Sequence, residues 1–87
     1  MKVNYSETAK RQLKGLDRQA AGRILDYMDS NVATADNPRS LGKALRGALG
    51  GFWRYRTGDY RIICDIQDKD AAILVLHIGD RKEVYRR

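Results

Sequence analysis

The sequence contains one cysteine, Cys64, and one histidine, His77. A single cysteine cannot form an intramolecular disulfide, so we expect the chain to fold without one in a reducing compartment. Paired cysteines and a His-x-x-x-His spacing are both absent from the sequence. Because zinc sites are recognised by such ligand patterns, the sequence predicts no metal centre.

Long apolar runs and glycine-rich phosphate loops are also lacking. No segment is long enough to span a bilayer and no apolar stretch near Met1 resembles a secretory signal, which favours the cytoplasm and argues against a membrane partner. No glycine spacing matches a P-loop or a dinucleotide-binding loop, and no nucleophile elbow accompanies His77. The sequence therefore predicts no cofactor, and His77 is expected to be a polar strand residue.

Positive charge is what the chain has in excess. Its 87 residues include 17 lysines and arginines against 11 acidic residues, a formal net charge of +6. This excess favours an anionic partner such as nucleic acid, a membrane surface or an acidic protein. A chain of this length is expected to form a single domain, 1–87, and to bury only roughly 60% of its unfolded surface. We therefore expect an open groove rather than an enclosed pocket.

The segment Gly50–Ile66 predicts two strands around a Thr57-Gly58-Asp59 turn, because it is rich in aromatic and β-branched residues. Strand alternation places Arg54 and Arg56 on one face, and Arg61 joins them if the apolar residues of both strands point to the core. Three guanidiniums this close repel one another. A polyanion would relieve that repulsion.

The remaining elements predict an α+β fold in the order β-α-α-β-β-β. Lys2–Tyr5 alternates like a short strand, and Ser6 and Asp17 are suitable N-caps for two amphipathic helices. Gly15 is placed to end the first helix in a left-handed cap. The apolar stripe of the second helix is expected at Ala21, Ile24, Leu25, Met28 and Val32. The last strand, 71–78, is expected to place Leu74, Leu76 and Ile78 on one face and His77 on the other.

Further basic residues surround the predicted hairpin. Lys43 and Arg46 precede it, Arg81 follows the last strand, and Tyr85 lies four residues beyond Arg81. A solvated basic face would explain these charges without any ligand. A guanidinium cluster with a reachable tyrosine fits RNA better, since guanidiniums bind phosphates and an aromatic ring stacks on a base.

Four segments carry a resemblance to a known family. They are Leu45-Arg46-Gly47, Trp53-Arg54-Tyr55-Arg56, Gly58-Asp59-Tyr60-Arg61-Ile62, and Ile78-Gly79-x-Arg81-Lys82-x-Val84-Tyr85. In this order and at this spacing they resemble the RelE/ParE toxin superfamily, and within it the RelE branch. The resemblance implies a twisted antiparallel sheet with a two-helix hairpin on one side, the RelE-like microbial RNase fold.

The resemblance also implies a function and partners. Such a protein is the toxin of a bacterial type II toxin–antitoxin pair, an endoribonuclease that cuts messenger RNA in the ribosomal A site and inhibits translation. A RelB-like antitoxin would hold it inactive, and operator DNA would be bound only through the antitoxin complex.

The family's active-site positions fall on five residues of this chain. The catalytic set implied by the resemblance is Arg54, Arg56, Arg61, Arg81 and Tyr85, and Lys43, Arg46, Lys82, Arg86 and Arg87 are expected to bind RNA. The implied reaction is metal-free attack of a ribose 2′-hydroxyl on the adjacent phosphate, giving a 2′,3′-cyclic phosphate and a 5′-hydroxyl. Arg61 and Arg81 would neutralise the developing charge, and Tyr85 would stack on or orient a base.

The best-known members carry lysines where this chain has Arg54 and Arg56. Because arginine keeps its proton, these two residues are expected to stabilise charge and position RNA rather than act as a base. Some relatives use a Glu/His pair instead, for which Glu83 and His77 are no convincing equivalent. Two alternatives fit the superfamily: a ParE-like inhibitor that binds DNA gyrase without cutting RNA, and an inactive relative that binds only its antitoxin and operator DNA.

Overall fold

The structure is a computed structural model that describes residues 1–80. Its strands are β1 (Lys2–Tyr5), β2 (Lys43–Ala44), β3 (Trp53–Thr57), β4 (Tyr60–Gln67) and β5 (Ala72–Asp80), and its helices are α1 (Glu7–Gly15) and α2 (Arg18–Asp26). A π-helical turn, Tyr27–Val32, extends α2, and 3-10 turns lie at Pro38–Leu41, Gly47–Leu49 and Asp68–Asp70. The predicted α+β class and β-α-α-β-β-β order are confirmed, with β2 as an additional strand of two residues.

The five strands that the structure describes form one mixed sheet in the order β1-β5-β4-β3-β2. The strands β2 to β5 pair antiparallel, as the sequence predicts, whereas β1 pairs parallel to β5. In the sequence, both helices lie between β1 and the later strands. A connection of this length allows β1 to pair parallel to β5. The parallel β1 makes the sheet mixed.

Side-chain caps begin both helices at the predicted residues. The Ser6 hydroxyl accepts a hydrogen bond from Ala9 N at 3.0 Å, and the Asp17 carboxylate accepts one from Ala20 N at 2.7 Å. Each cap satisfies a backbone donor that has no partner inside its helix. The cap predictions for Ser6 and Asp17 are therefore confirmed.

The left-handed cap predicted at Gly15 is wrong. The helix α1 ends at Gly15, and its cap residue Leu16 has an extended backbone with φ −88° and ψ 157°. Leu16 N still donates to Leu13 O at 3.2 Å, which closes the last turn. Because the chain passes directly from Leu16 into the extended cap residue Asp17, no left-handed residue is needed between the helices.

The hydrophobic core lies between the helices and one face of the sheet. Its buried members are Ala9, Ile24, Met28 and Val32 from the helical segments and Tyr55, Ile62, Cys64, Ile66, Ile73, Val75 and Ile78 from the sheet. Three of the five positions predicted for the second helix are among them. Leu25 is 37% exposed, because it lies about 100° around the helix from Ile24 and outside the packed face.

A β-bulge interrupts the pairing of β4 with β5. Ile63 pairs with His77 and Cys64 pairs with Val75, so Leu76 is an extra residue without a partner in β4. An extra residue of this kind shifts the alternation of side chains along its strand. The two faces of β5 therefore exchange at Leu76.

The bulge corrects the predicted faces of β5. Val75 and Ile78 are both buried in the core although they are three residues apart, whereas Leu74 and Leu76 are half-buried. The prediction that Leu74 and Leu76 share a face with Ile78 is therefore wrong. The register still places His77 on the sheet face away from Ile78, next to its pairing partner Ile63.

The hydroxyl of Tyr55 generates the first prediction. Tyr55 is fully buried and donates a hydrogen bond to Pro38 O at 2.8 Å, and burial raises the pKa of Tyr55 to about 12. The substitution Tyr55→Phe should lower the free energy of unfolding by about 1–3 kcal/mol, because it leaves a buried carbonyl without its donor. Urea unfolding measures the change.

The matched control is Tyr27→Phe. The ring of Tyr27 meets that of Tyr55 edge-on at 6.4 Å, and its hydroxyl makes no hydrogen bond within residues 1–80. Removing this hydroxyl should change the free energy of unfolding by no more than about 0.5 kcal/mol. Equal losses in both variants would show that the Tyr55–Pro38 bond is not the cause.

Candidate nucleic-acid interface

The sheet face opposite the helices carries two rows of residues aligned by strand pairing. The first row runs through Lys43, Arg54, Ile63 and His77, and the second runs through Arg56, Arg61 and Gly79. Directly paired residues in neighbouring antiparallel strands lie roughly 5 Å apart and project to the same face. Positive charges from three strands therefore come together on what we name the basic face: Lys43, Arg54, Arg56 and Arg61.

The other predicted site residues lie elsewhere. Arg46 is exposed in the connection after β2 and belongs to neither row. Arg81, Lys82, Tyr85, Arg86 and Arg87 lie outside the described residues.

A groove of about 250 Å³ opens beside Arg54 and Arg56. Its lining residues are Ser40, Leu41, Gly42, Lys43, Arg54 and Arg56. Gly42 permits the close approach of this segment to β3, since a Cβ there would lie 2.9 Å from both Arg54 O and Tyr55 Cε1. Glycine at this position therefore keeps Lys43 in register with Arg54.

The charge of Arg54 and Arg56 has no carboxylate partner among residues 1–80. The ion pairs in that part of the chain are Lys10–Glu7 and Arg39–Asp68. Arg54 Nε is buried and has no hydrogen-bond acceptor within the same residues. A buried donor on a charged group costs free energy if it has no hydrogen-bond acceptor. An anionic ligand would supply one.

Arg39 shows the opposite arrangement, an arginine with a dedicated partner. Its two terminal nitrogens donate to the two carboxylate oxygens of Asp68 at 3.1 and 2.7 Å. These bonds lower the pKa of Asp68. The guanidinium of Arg39 also lies 5.7 Å from the centre of the Trp53 ring. Arg54 and Arg56 lack any such carboxylate within the part of the chain that the structure describes.

His77 ends the first row on β5, and Gln12 of α1 lies against it. Gln12 Nε2 is 3.1 Å from His77 Nδ1 and 3.4 Å from His77 Nε2, while Gln12 Oε1 accepts a hydrogen bond from Ile78 N at 2.6 Å. No sequence pattern indicated a role for Gln12. Only the tertiary placement of α1 beside β5 brings its amide to this strand.

Cys64 is not part of the basic face. It lies in the core, where burial raises the pKa of its thiol and keeps it protonated. The prediction that it is a small buried hydrophobe is confirmed.

Residues 1–80 contain no candidate metal site and no candidate membrane-spanning helix. No group of three His, Cys, Asp or Glu side chains in this range is placed to hold a metal ion. None of its helices combines the length and the apolar character needed to cross a bilayer.

The fold and the basic face together define a small cationic α+β protein with an open charged surface. Residues 3–85 match the family model described as the ParE toxin of the type II toxin–antitoxin system, parDE. The chain therefore belongs to the RelE/ParE superfamily and is a toxin of the type II toxin–antitoxin class.

Two toxins of Mycobacterium tuberculosis (strain ATCC 25618 / H37Rv) are similar over almost the whole chain. Toxin RelE is 33% identical over 84 residues, which are 97% of this chain and 84% of that toxin. Toxin RelG is 28% identical over 85 residues, 98% of this chain and 95% of that toxin. The crystal structure of the toxin–antitoxin complex RelBE2 from the same species matches with a TM-score of 0.83 at 26% identity, covering 92% of this chain and 96% of the matched chain. The predicted RelE-like fold is confirmed.

The direct pairing of Arg56 with Arg61 generates the second prediction. The substitution Arg56→Gln should raise the free energy of unfolding by roughly 0.2–1 kcal/mol, because like charges directly opposite each other are destabilising. The gain should shrink as salt is raised, since salt screens exposed charges. Urea unfolding at low and high salt measures this change in the free energy of unfolding.

The control, Lys69→Gln, removes the same charge from the exposed turn Asp68–Asp70 at the far end of β4. It should change the free energy of unfolding by no more than about 0.5 kcal/mol. A gain in Arg56→Gln that is insensitive to salt, or matched by the control, would contradict charge repulsion as its source.

Proposed function

We propose that this toxin is a ribosome-dependent mRNA endoribonuclease that stops translation. One observation carries the proposal: Arg54, Arg56 and Arg61 lie on two paired strands, and the first two have no carboxylate partner within residues 1–80. Guanidiniums bind phosphate groups bidentately, and RNA presents successive phosphates. The similarity to toxin RelE supports the same function.

The proposed reaction uses no metal ion. The ribose 2′-oxygen attacks the adjacent phosphorus, the bond from phosphorus to the 5′-oxygen breaks, and the products are a 2′,3′-cyclic phosphate and a 5′-hydroxyl. Arg61 and Arg81 stabilise the charge that grows on the phosphorane and on the leaving oxygen. Arg54 and Arg56 position the phosphates, and Tyr85 stacks on a base at the cut site.

RNA on either side of the cut is proposed to follow the remaining basic residues. Lys43 belongs to the basic face and Arg46 follows it in the sequence, while Lys82, Arg86 and Arg87 come later in the chain. Contacts of this kind neutralise phosphates and release counterions, so the affinity of the free toxin for RNA should fall steeply with salt. The groove of about 250 Å³ beside Arg54 gives one phosphate an open approach.

The proposed protein partner is a RelB-like antitoxin. The similar RelBE2 structure from M. tuberculosis is a toxin–antitoxin complex. We infer that an antitoxin of this kind covers the basic face of the present toxin with acidic or apolar residues, and that operator DNA is bound only through that complex. The ribosomal A site with its messenger RNA is the proposed target, which places the toxin in the cytoplasm.

The ParE family match favours a second candidate, inhibition of DNA gyrase by binding. Brief induction of the toxin separates the two functions. New 5′ ends in messages at positions occupied by ribosomes support RNA cleavage. DNA breaks without such ends support gyrase inhibition, and the absence of both supports an inactive relative.

The third prediction concerns the arginines assigned to the phosphate. Arg61→Ala and Arg81→Ala should each lower the rate of cleavage by about 10²–10³, the usual effect of removing one contact to a developing anion. Growth arrest should be lost in both variants. Single-turnover cleavage on programmed ribosomes measures the rates.

Lys69→Ala is the matched control for these variants, since it removes one exposed positive charge from the end of β4 that lies away from Arg61. It should cleave RNA at the wild-type rate. Full toxicity of Arg61→Ala and Arg81→Ala at matched expression would refute the assignment of the site.

The fourth prediction separates two roles of Tyr85. If its ring stacks on a base, Tyr85→Phe keeps the aromatic face and stays close to wild type. Stacking is worth about 1–3 kcal/mol per base, so Tyr85→Ala should lose roughly 5- to 150-fold. An ordinary phenol with a pKa of about 10 is a poor base at neutral pH, so we expect stacking. A Phe variant as slow as Ala would show that the hydroxyl is required.

A further inference from the structure

We propose that the groove beside Arg54 and Arg56 binds one nucleotide of the messenger RNA, and that Leu41 packs against the base of that nucleotide. The inference rests on the RNA cleavage proposed above and deepens it. The residues assigned so far on the described sheet contact phosphates, whereas Leu41 would contact a base.

The groove of about 250 Å³ has a cationic side and an apolar side. Lys43, Arg54 and Arg56 form the first, and Leu41 with Gly42 forms the second. The side chain of Leu41 is 43% exposed. None of the residues that line the groove in the described part of the chain is acidic. An occupant that fits both sides therefore carries an anionic group and an apolar surface.

Hydrogen bonds within the chain decide which end of the groove takes the anion. Ser40 Oγ donates its proton to Asn37 O at 2.7 Å, and Gly42 N donates to Arg39 O at 3.3 Å. These two donors are thus already used. Arg54 Nε, in contrast, is buried and has no acceptor within residues 1–80. The phosphate of an occupant therefore belongs beside Arg54.

The backbone that carries Leu41 is fixed on the sheet from both sides. Three residues earlier, Pro38 O accepts a hydrogen bond from the buried hydroxyl of Tyr55 at 2.8 Å. One residue later, Gly42 lies so close to β3 that a Cβ there would be 2.9 Å from Arg54 O. A contact residue held in this way loses little conformational freedom when a ligand binds. Leu41 is therefore a prepared apolar surface next to the arginines.

A nucleotide matches the two sides of the groove. It joins a phosphate to a flat base, and guanidiniums bind phosphates whereas apolar side chains pack against the faces of bases. Arg54 and Arg56 are two residues apart on β3, so their Cα atoms lie roughly 7 Å apart. One acidic side chain of a protein segment would satisfy one of these guanidiniums. An RNA strand brings a phosphate to each.

The first test compares Leu41 variants in single-turnover cleavage of messenger RNA on programmed ribosomes, at toxin concentrations below saturation. Leu41→Ala should lose about 4- to 15-fold, equivalent to one or two methylene groups covered by the base. Leu41→Asp should lose more, because its carboxylate repels the phosphate. Leu41→Phe should stay close to wild type, since an aromatic ring also packs against a base. A Phe variant as slow as Leu41→Asp would contradict an apolar contact.

The matched control is Leu25→Asp. Leu25 is 37% exposed, similar to Leu41, but it lies on α2, across the sheet from the basic face. The same substitution there should leave cleavage at the wild-type rate. Thermal unfolding of each variant verifies that it is folded.

Substrates that lack a single base of the A-site codon give a readout that a structural role of Leu41 would not affect. Removing the base that Leu41 contacts should slow wild type, and Leu41→Ala should then cause little further loss, because side chain and base act as one unit. With the base removed at either other position, Leu41→Ala should keep its full loss. Equal losses on the intact and on every abasic substrate would overturn the base contact.

Failure of this inference can be told apart from failure of the proposed function. Wild-type toxin that leaves message intact on programmed ribosomes overturns both. Wild-type toxin that cuts, with Leu41→Asp as fast as Leu25→Asp, overturns the nucleotide site alone and leaves the groove to a protein segment.

Discussion

Tyr55, Ile62 and Cys64 of the β3–β4 hairpin belong to the core, and the arginines of the hairpin lie on the opposite face of the sheet. Tyr55 pairs with Ile62 on the buried face, and the next pair along the hairpin, Arg56 with Arg61, lies on the basic face. One backbone register fixes both pairs. Burial of the two apolar side chains therefore also fixes the two arginines at directly paired positions. The core thus supports the pairing of two like-charged residues, which alone is unfavourable.

This arrangement links binding to stability. Arg39 is matched by Asp68, whereas Arg54 and Arg56 have no carboxylate among residues 1–80, so an outside anion can satisfy them. Anything that binds only the folded toxin adds to its stability in proportion to its concentration and affinity. Under the proposed function, messenger RNA and an acidic antitoxin segment would compete for the same arginines. The function of the toxin and its inhibition would therefore depend on one surface.

Local patterns predicted much of this fold, and long-range packing decided the rest. The Ser6 cap and the hairpin turn at Gly58 depend on neighbouring residues, so sequence alone identified them. The parallel pairing of β1 and the reach of Gln12 to β5 depend on how distant elements meet, and no local pattern encodes that. The convergence of Arg54 with its neighbours followed from strand alternation, whereas the bulge at Leu76 appears only in the register of β5 against β4.

The single extra residue Leu76 offsets the apolar pattern of β5 by one position. In an unbroken strand, His77 would share a face with Ile73 and Val75, both of which are buried. Deleting Leu76 would remove the bulge and still leave Val75 paired with Cys64 and His77 paired with Ile63, so the buried residues on both sides of it would stay buried. Homologues that lack this residue can therefore keep the same core contacts with one residue fewer in the strand. Alignments without a gap at this position would match buried residues of one strand to half-buried residues of the other.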